Sequence, residues 1–361
     1  MVQPKPTLGV PPLDRLLDVF CAEAPPQAVP GARPGISLGG LNEHMGGDSE
    51  DGSPAPDFTG REFHAARWKP VVLELTSLMP ASGKTSLLCY CAAVAVLPRD
   101  RGGQGGAVVW FDTDGRFSAT RLREVVLGIV DSSDTANEEE ERRESLVQEA
   151  LAHVHVFRPY SSRQVIDTLD YLPSYLLDNA AHLSMHRRLS LLILDSVTAF
   201  YWQDRYASET ARFEHPAQPR DRPSRAAEFI TRLKHVQKEF DCAIAYATSS
   251  PFKAMSRATL SSAANSDAPL EMKSASAWTR FATLTLSLSR VDVPRFPLHM
   301  SLDECLRDRE KRQDVVARGR FVAEVDRSGI ESWTANVKEA WRNMEAGRSF
   351  YFTNCAGVIM Q

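Results

Sequence analysis

Three consecutive residues, Gly83, Lys84 and Thr85, have the side chains and spacing of a phosphate-binding loop. A β-branched, apolar run at residues 71–77 precedes them and an apolar helical pattern at residues 86–97 follows, which predicts a strand–loop–helix unit. Backbone amides at a helix N-terminus are unpaired and lie at the positive end of the helix dipole, where they bind phosphate. The sequence therefore predicts a nucleotide site in which Lys84 contacts the β- and γ-phosphates and the Thr85 hydroxyl binds Mg²⁺.

The predicted loop departs from the usual pattern at two positions. The pattern has glycine five residues before Gly83, where this chain has Leu78. A side chain there costs about 1–2 kcal/mol if the backbone is left-handed. Pro80 removes one backbone amide from the loop. We still expect the remaining loop residues to bind the nucleotide, namely Ala81, Ser82, Gly83, Lys84, Thr85 and Ser86. The alternative is an ordinary strand–turn–helix unit that contains Gly-Lys-Thr by chance.

Two aspartates follow buried-type strands, at the positions where open parallel sheets bind ligands. Asp195 closes the apolar run at residues 191–194, and Asp114 follows the run at residues 107–112. Asp195 is predicted to bind Mg²⁺ directly or through water. Asp114 is placed to activate an attacking water as a general base. The alternative for Asp114 is a structural cap of the turn that contains Gly115.

The composition narrows the class of protein. The chain has 361 residues, 43% of them apolar and 24% charged, and a net charge of −4. This length is enough for one large core or two smaller ones. The net charge argues against a globally basic nucleic-acid binder but not against a local basic surface. The six cysteines are scattered without a C-x-x-C pair, which indicates an intracellular protein without a metal–thiolate site. We expect neither a signal peptide nor a membrane span.

The chain is predicted to divide at about residue 60. Residues 1–60 are rich in proline, glycine and acidic side chains, which is typical of a flexible segment. A short amphipathic helix interrupts this segment, with its apolar face formed by Leu13, Leu16, Leu17 and Phe20. We expect this helix to dock on a partner, and the alternative is that it folds back on the core. Residues 61–361 are predicted to form the core.

Strands alternate with helices along the core, which predicts an α/β fold with a mostly parallel, twisted sheet flanked by helices. The predicted strands lie at residues 71–77, 107–112, 154–157, 189–195 and 242–247. The predicted helices that follow the loop helix lie at residues 119–130, 163–177 and 225–240. Residues 131–144 are acidic and predict a solvated insertion. Strand patterns at residues 281–288, 319–325 and 350–352, with little helix between them, predict antiparallel C-terminal strands. The histidines show no metal-ligand spacing, so we expect core or surface roles for them.

Together these segments resemble the RecA/RadA-type recombinases and their eukaryotic paralogues. Residues 112–117, Asp-Thr-Asp-Gly-Arg-Phe, followed by Arg121-Leu122, are similar to the Asp-Thr-Glu-Gly-x-Phe…Arg-Leu segment of the family. Residues 191–201 resemble its magnesium-binding strand and the exit from that strand. Residues 199–205 and 96–103 resemble one eukaryotic paralogue in particular.

The resemblance implies a RecA-like P-loop NTPase core that binds ATP and Mg²⁺, with Arg121 on the nucleotide. Asp114 stands where recombinases have their catalytic glutamate. Because its side chain is one methylene shorter, its carboxylate is displaced by about 1.5 Å, and we expect only weak ATP hydrolysis. Thr248, Ser249 and Ser250 occupy the positions of an Asn-Gln pair that relays the γ-phosphate to DNA in the family. That relay is therefore expected to be lost.

The resemblance also implies a nuclear role in double-strand break repair by homologous recombination. The chain is expected to join other RecA-like paralogues in a heteromeric complex and to promote recombinase filaments on single-stranded DNA, without a membrane partner. DNA contact, to single-stranded or branched DNA, is expected to be weak for the isolated chain. The candidate DNA-binding residues are Arg205, Arg212, Lys253 and Arg257.

Phe63 and Ala66 have the Phe-x-x-Ala spacing by which family members dock on a neighbour. They are candidate partner contacts, and burial against the first strand is the alternative. Two further interpretations of the whole chain stay open at this point. One is a P-loop kinase or other NTPase that acts on a small molecule, and the other is a scaffold that binds no nucleotide.

Overall fold

The structure, a computed structural model, describes residues 7–22, 69–132, 140–214, 224–249, 277–291, 296–328, 330–353 and 359–360. Four of the residues proposed above as partner or DNA contacts lie outside these ranges, namely Phe63, Ala66, Lys253 and Arg257. Their predicted roles stay predictions.

In the described residues, nine strands form one sheet. Their bounds are β1 Val72–Thr76, β2 Ala107–Asp112, β3 Val154–Phe157, β4 Leu189–Asp195, β5 Ala243–Ala247, β6 Leu284–Arg290, β7 Arg320–Val325, β8 Ser349–Thr353 and β9 Ile359–Met360. The order across the sheet is β3-β2-β4-β5-β1-β6-β7-β8-β9. All pairs from β3 to β6 are parallel, and the pairs from β6 to β9 are antiparallel. The predicted α/β class is confirmed.

The helices cover both faces of this sheet. Their bounds are α1 Pro11–Cys21, α2 Lys84–Val96, α3 Ala119–Ser132, α4 Glu140–Leu151, α5 Ser162–Leu176, α6 Tyr201–Glu214, α7 Arg225–Phe240, α8 Leu302–Arg318 and α9 Ala335–Asn343. Across the described ranges, no helix has both the length and the apolar character needed to cross a lipid bilayer.

The central strands are buried on both faces, which is why they are continuous apolar runs. Side chains alternate between the faces of a strand. In β4, Leu191 and Ile193 therefore enter one core with α1, α2, α3 and α9. Leu192 and Leu194 enter the other core with α5 and α7. The almost wholly apolar helix α2 lies in the first core. The strand that ends in Asp195 is thus held from both sides.

The C-terminal region differs from the prediction in two respects. β6 runs parallel to β1, so only β7, β8 and β9 form the antiparallel addition. Helix α8 lies between β6 and β7, and α9 lies between β7 and β8. The prediction of little helix between these strands is therefore wrong. Helix α8 begins at a capping box in which Ser301 and Glu304 each accept a backbone amide of the other.

Seven of the fourteen residues in the acidic stretch at 131–144 are described, and all seven are helical. Residues 131–132 end α3, and residues 140–144 begin α4, whose acidic first turn suits the positive end of the helix dipole. Glu144 accepts hydrogen bonds from Arg123 of α3. The described residues of the predicted insertion are exposed or half-exposed, as expected of a solvated stretch, but they form a helix end and a helix start. Residues 133–139 lie outside the described ranges.

Helix α1 is part of the core. It packs against α9 and β6. Its apolar face, Leu13, Leu16, Leu17 and Phe20, is at most 5% exposed. The Phe20 ring lies edge-on to Trp333, with ring centroids 4.9 Å apart. The prediction that these four side chains dock on a partner is wrong, because they are already covered by the chain's own core.

The domain boundary at residue 60 is corrected for the same reason. Leu8 and Val10 lie in the same apolar cluster as α1. The Lys69 amide donates to the Cys21 carbonyl at 2.8 Å, which joins the end of α1 to the residues before β1. Residues 7–22 therefore belong with the core, and deleting residues 1–60 would uncover it.

A buried histidine network supports the edge strand β3. His155 bonds to the Tyr175 hydroxyl at 3.0 Å through Nδ1 and to the Ser184 hydroxyl at 2.8 Å through Nε2. His153 bonds to the same Ser184 hydroxyl through Nδ1 at 2.8 Å. Burial, together with the neighbouring His182 and His153, lowers the pKa of His155 to about 4. The core role expected for these histidines is what the structure shows.

This network predicts a pH-dependent stability. The unfolded chain binds a proton at His155 below about pH 6.5, whereas the folded chain resists protonation until about pH 4. The stabilisation is therefore complete above pH 6.5 and is lost as the pH falls towards 4, by up to about 3 kcal/mol. Urea unfolding at several pH values should show this loss, and His155→Asn should reduce it. Parallel pH curves for the two proteins would contradict the role of His155.

Candidate nucleotide-binding site

The phosphate-binding motif lies between the buried strand β1 and helix α2. Gly83 precedes the helix with φ at 89°, a left-handed conformation that glycine adopts without strain. The N-cap residue is a glycine and therefore makes no side-chain bond to the first amides of α2, which is the end of a helix where a ligand can bind. The predicted strand–loop–helix unit is present, with the helix beginning at Lys84.

Lys84 is held inside this unit. Its ammonium donates to the hydroxyl of Ser77, the first residue after β1. Ser77 in turn donates to the Met79 carbonyl at 2.9 Å. Burial lowers the pKa of Lys84, and the nearby Asp195 carboxylate opposes that effect. A partly desolvated ammonium of this kind gains most from an anion, and a polyphosphate supplies one.

The two predicted magnesium ligands meet in the structure. The Thr85 hydroxyl donates to Asp195 Oδ2 at 2.7 Å across 110 positions of sequence. Burial raises the pKa of Asp195, while the hydrogen bond from Thr85 lowers it. A hydroxyl and a carboxylate are the hard oxygen ligands that Mg²⁺ prefers, so the donor set fits this ion.

One loop atom is without a partner among the described residues. The Ser82 hydroxyl is buried and makes no hydrogen bond there. Buried polar atoms are nearly always satisfied, by protein, water or ligand. The orphaned hydroxyl and the available amides around Gly83 thus fit a phosphate group at this loop.

The backbone conformation of the loop differs from the prediction at Leu78. The described non-glycine residues with positive φ are Ala81, at 53°, and Asp241, at 49°. Leu78 is therefore not left-handed, and the strain proposed for it does not arise. It falls instead on Ala81, where a left-handed backbone costs about 1–2 kcal/mol.

Asp112 and Asp114 have different roles. Asp112 is buried and accepts the amides of Arg116 at 2.8 Å and Phe117 at 3.2 Å, so it fixes the turn. Asp114 is exposed, and its Oδ2 accepts the Ser196 hydroxyl at 3.2 Å. Because Ser196 directly follows Asp195, the candidate base lies beside the candidate magnesium ligand.

The structure also places three further predicted residues, Arg121, Ser86 and Thr248. Arg121 donates to Glu124 at 2.8 Å on helix α3. Ser86 lies half-buried in the first turn of α2. The Thr248 hydroxyl donates to the buried Glu74 carboxylate at 3.0 Å, which points it at β1. Thr248 is thereby engaged away from the phosphate loop, consistent with the expected loss of the relay.

The predicted DNA contacts after β4 lie on helix α6. Arg205 donates to Glu209 at 2.9 Å and lies 5.6 Å from the centre of the Trp202 ring. Trp202 and Tyr206 are 58% and 73% exposed, so their rings are open to solvent. Arg212 belongs to the same helix. Exposed aromatic rings beside arginine suit stacking with nucleic-acid bases.

Two site residues were not found from the sequence. Ser77 holds Lys84, and Ser196 holds Asp114. Both follow the carboxyl end of a central parallel strand, and that position was the available signal. A lone serine carries too little pattern to be singled out without it.

Comparison with known proteins places the chain in one family. A family model described as Rad51 matches residues 79–271, which is more than half of the chain and includes the loop, Asp114 and Asp195. The chain belongs to the Rad51 family. The resemblance to RecA/RadA-type recombinases is thereby confirmed.

Individual relatives within the Rad51 group match shorter segments. The meiotic recombination protein DMC1/LIM15 homolog of Mus musculus is 26% identical over 163 residues, 45% of this chain and 40% of that protein. The DNA repair and recombination protein RadA of Methanoculleus marisnigri is 28% identical over 125 residues, 33% of each chain. The DNA repair protein XRCC2 of Mus musculus is 32% identical over 124 residues, 34% of this chain and 39% of that protein.

XRCC2 is the paralogue that residues 96–103 and 199–205 resemble. The matched part of this Rad51-family chain spans a third to two fifths of the length of these relatives. The activities of these relatives as whole proteins are therefore proposed, and not stated, for this chain.

Proposed function

We propose that this Rad51-family chain binds Mg·ATP and acts in recombinational DNA repair. The observation that carries the proposal is the Thr85–Asp195 hydrogen bond of 2.7 Å, which brings the two proposed magnesium ligands together beside Lys84. The names of the relatives supply the biological context, since they describe recombination and DNA repair.

Each residue of the site has a part in binding. The amides at the start of α2 and the Lys84 ammonium would hold the β- and γ-phosphates. Thr85 and Asp195 would hold Mg²⁺, which neutralises phosphate charge when bound. Ser77 keeps Lys84 aimed into the loop. Ser196 keeps Asp114 beside Asp195, where it can orient a water molecule.

Lys84→Ala tests the binding proposal. Because it removes the cation that neutralises the phosphates, we expect the affinity for a fluorescent ATP analogue to fall at least about tenfold, or about 1.4 kcal/mol. Lys311→Ala is the matched control, since Lys311 is exposed on α8 and far from the loop in sequence. No binding by the wild type at millimolar nucleotide, alone or with co-purified partners, would indicate a nucleotide-free scaffold instead.

Hydrolysis is proposed to be slow because Asp114 is short. Its carboxylate is already bound to Ser196, so Asp114→Glu moves the carboxylate outward by about 1.5 Å, one C–C bond length. We expect the variant to hydrolyse ATP faster than the wild type, and Asp114→Asn to abolish the residual activity. Phosphate release measured with and without single-stranded DNA tests this. A wild type that already turns over briskly would contradict the proposal.

We further propose that the chain works in the nucleus, in a heteromeric complex with other RecA-like paralogues. The proposal draws on the relatives, which include the human DNA repair protein RAD51 homolog 2. Because α1 is covered by the core, the partner surface is not its apolar face. Affinity purification from cells with mass spectrometry tests the proposal: RecA-like proteins should co-purify, and a chain recovered alone would contradict it.

A further inference from the structure

A large cleft lies at the end of the sheet opposite the nucleotide loop. Its volume is about 1390 Å³. It is lined by residues that precede the amino ends of β1, β4, β5 and β6, and by the C-terminal turns of α7. The phosphate loop follows the carboxyl end of β1, so the cleft is separated from the nucleotide site by the length of the strands.

The strand order gathers positive charge along this edge. Arg188 directly precedes β4, Lys69 lies before β1, and Arg280 lies before β6. These strands are parallel and follow the order β4, β5, β1, β6. Neighbouring strands are about 4.8 Å apart, so the strands that these three cations precede span roughly 14 Å of the sheet edge. The cations form a row across the edge of the sheet.

Further cations flank the row. Lys234 and Lys238 reach it from α7, and Arg99 reaches it from the turn after α2. The acidic side chains among the lining residues are Asp241 and Asp326. Arg188 and Lys238 are both exposed, and neither forms an ion pair with another described residue. The cleft therefore has a strong positive excess in a chain whose net charge is −4.

The lining also offers aromatic and polar contacts. The Lys234 ammonium lies 5.9 Å from the centre of the Phe281 ring, and the half-buried Trp333 ring lines the same cleft. The Ser190 hydroxyl is buried among the lining residues and, in the described part of the chain, has no hydrogen-bond partner. Cations interleaved with aromatic rings are the combination that holds single-stranded nucleic acid.

We propose that this cleft, the amino-edge cleft, binds the phosphate backbone of single-stranded nucleic acid. It is distinct from the expected DNA contacts on α6 and after β5, which follow the carboxyl ends of their strands. The proposal does not depend on ATP binding at the loop, because no residue of the loop lines the cleft.

The test is a titration of fluorescein-labelled oligothymidine of about twenty nucleotides, a length that covers such sites, followed by anisotropy without nucleotide. Arg188→Glu with Lys238→Glu removes two cations from the cleft. Arg309→Glu with Lys311→Glu makes the same charge change on the exposed surface of α8 and is the matched control. We expect the cleft variant to bind at least about tenfold more weakly than the control, with a salt slope reduced by roughly 1.4, or 0.7 per lost phosphate contact.

Other outcomes separate this proposal from its competitors. Equal affinity of the cleft variant and the control would overturn it, as would absence of oligothymidine binding by the wild type. The proposal would also be overturned if polyglutamate of the same total charge competed as strongly as unlabelled oligothymidine. The cleft would then be a site for acidic peptides. Lys84→Ala should bind oligothymidine like the wild type. Its retention of binding would support the cleft even if ATP binding failed.

Discussion

Leu16→Asp together with Phe20→Asp is expected to unfold the chain. Both side chains are at most 5% exposed and lie in the core with α9. Each substitution removes apolar burial worth about 1.5–3 kcal/mol and places an unpaired carboxylate in an apolar site, which adds several kcal/mol more. The sum is comparable to the whole stability of a typical domain, about 5–15 kcal/mol.

Thermal unfolding followed by circular dichroism measures this effect. Arg15→Asp is the control, because Arg15 is exposed on the same helix and the substitution changes the net charge by the same amount. Its effect should stay within about 0.5 kcal/mol. If the double variant melts like the wild type but loses a protein partner, α1 is a docking helix after all.

Gly83→Ala is expected to damage both stability and nucleotide binding. The backbone there is left-handed, and an added Cβ would lie 2.8 Å from Cγ of Phe321 and 2.9 Å from Cζ of Phe352. The two rings stack on each other and belong to the neighbouring strands β7 and β8, so a shift of one ring also displaces the other. Conformational strain of about 1–2 kcal/mol and overpacking of about 1–3 kcal/mol act together.

Gly115→Ala separates the two contributions. Gly115 is also left-handed, with φ at 67°, but an added Cβ would meet nothing within 4 Å. Urea unfolding should show a loss of about 1–2 kcal/mol for Gly115→Ala, from conformational strain alone, and a clearly larger loss for Gly83→Ala. Equal losses would mean that the phenylalanine pair gives way, and that the C-terminal strands do not brace the loop.

Much of the geometry of the candidate nucleotide site could be predicted, because it depends on residues that are close together in the sequence. Strand β1, the loop and α2 are consecutive, and Asp195 ends an apolar run. The Thr85–Asp195 contact follows from parallel strands with their carboxyl ends at one edge. The backbone conformation of the loop could not be predicted, since the left-handed residue is Ala81 and not Leu78.

The residues that cover the apolar face of α1 could not be predicted from a local sequence pattern. The spacing of its apolar side chains predicted a helix, but its cover comes from Trp333 and Trp341, more than three hundred positions later in the chain. Sequence periodicity shows that one face of a helix must be buried, but it does not identify the residues that cover that face. The same limit applies to β6, whose parallel direction is decided by pairing with β1.

Two of the helices that were not predicted, α4 and α8, are the most highly charged. α4 begins with acidic residues, and α8 carries charges around most of its surface. Strong charge without a clear apolar stripe resembles a solvated segment. Their stability comes instead from features such as the Ser301–Glu304 capping box and the Arg123–Glu144 ion pair, which link specific residues.

Calorimetric titration of the chain with ATP, in excess Mg²⁺ and again in EDTA, tests the central claim most directly. We expect saturable binding in Mg²⁺ that weakens at least about tenfold in EDTA, or about 1.4 kcal/mol, because Thr85 and Asp195 act through the ion. Asp195→Asn, which keeps the shape and removes the charge, should abolish the difference between the two conditions. Absence of binding at millimolar ATP, or equal affinity of the wild type with and without Mg²⁺, would contradict a Mg·ATP site at this loop.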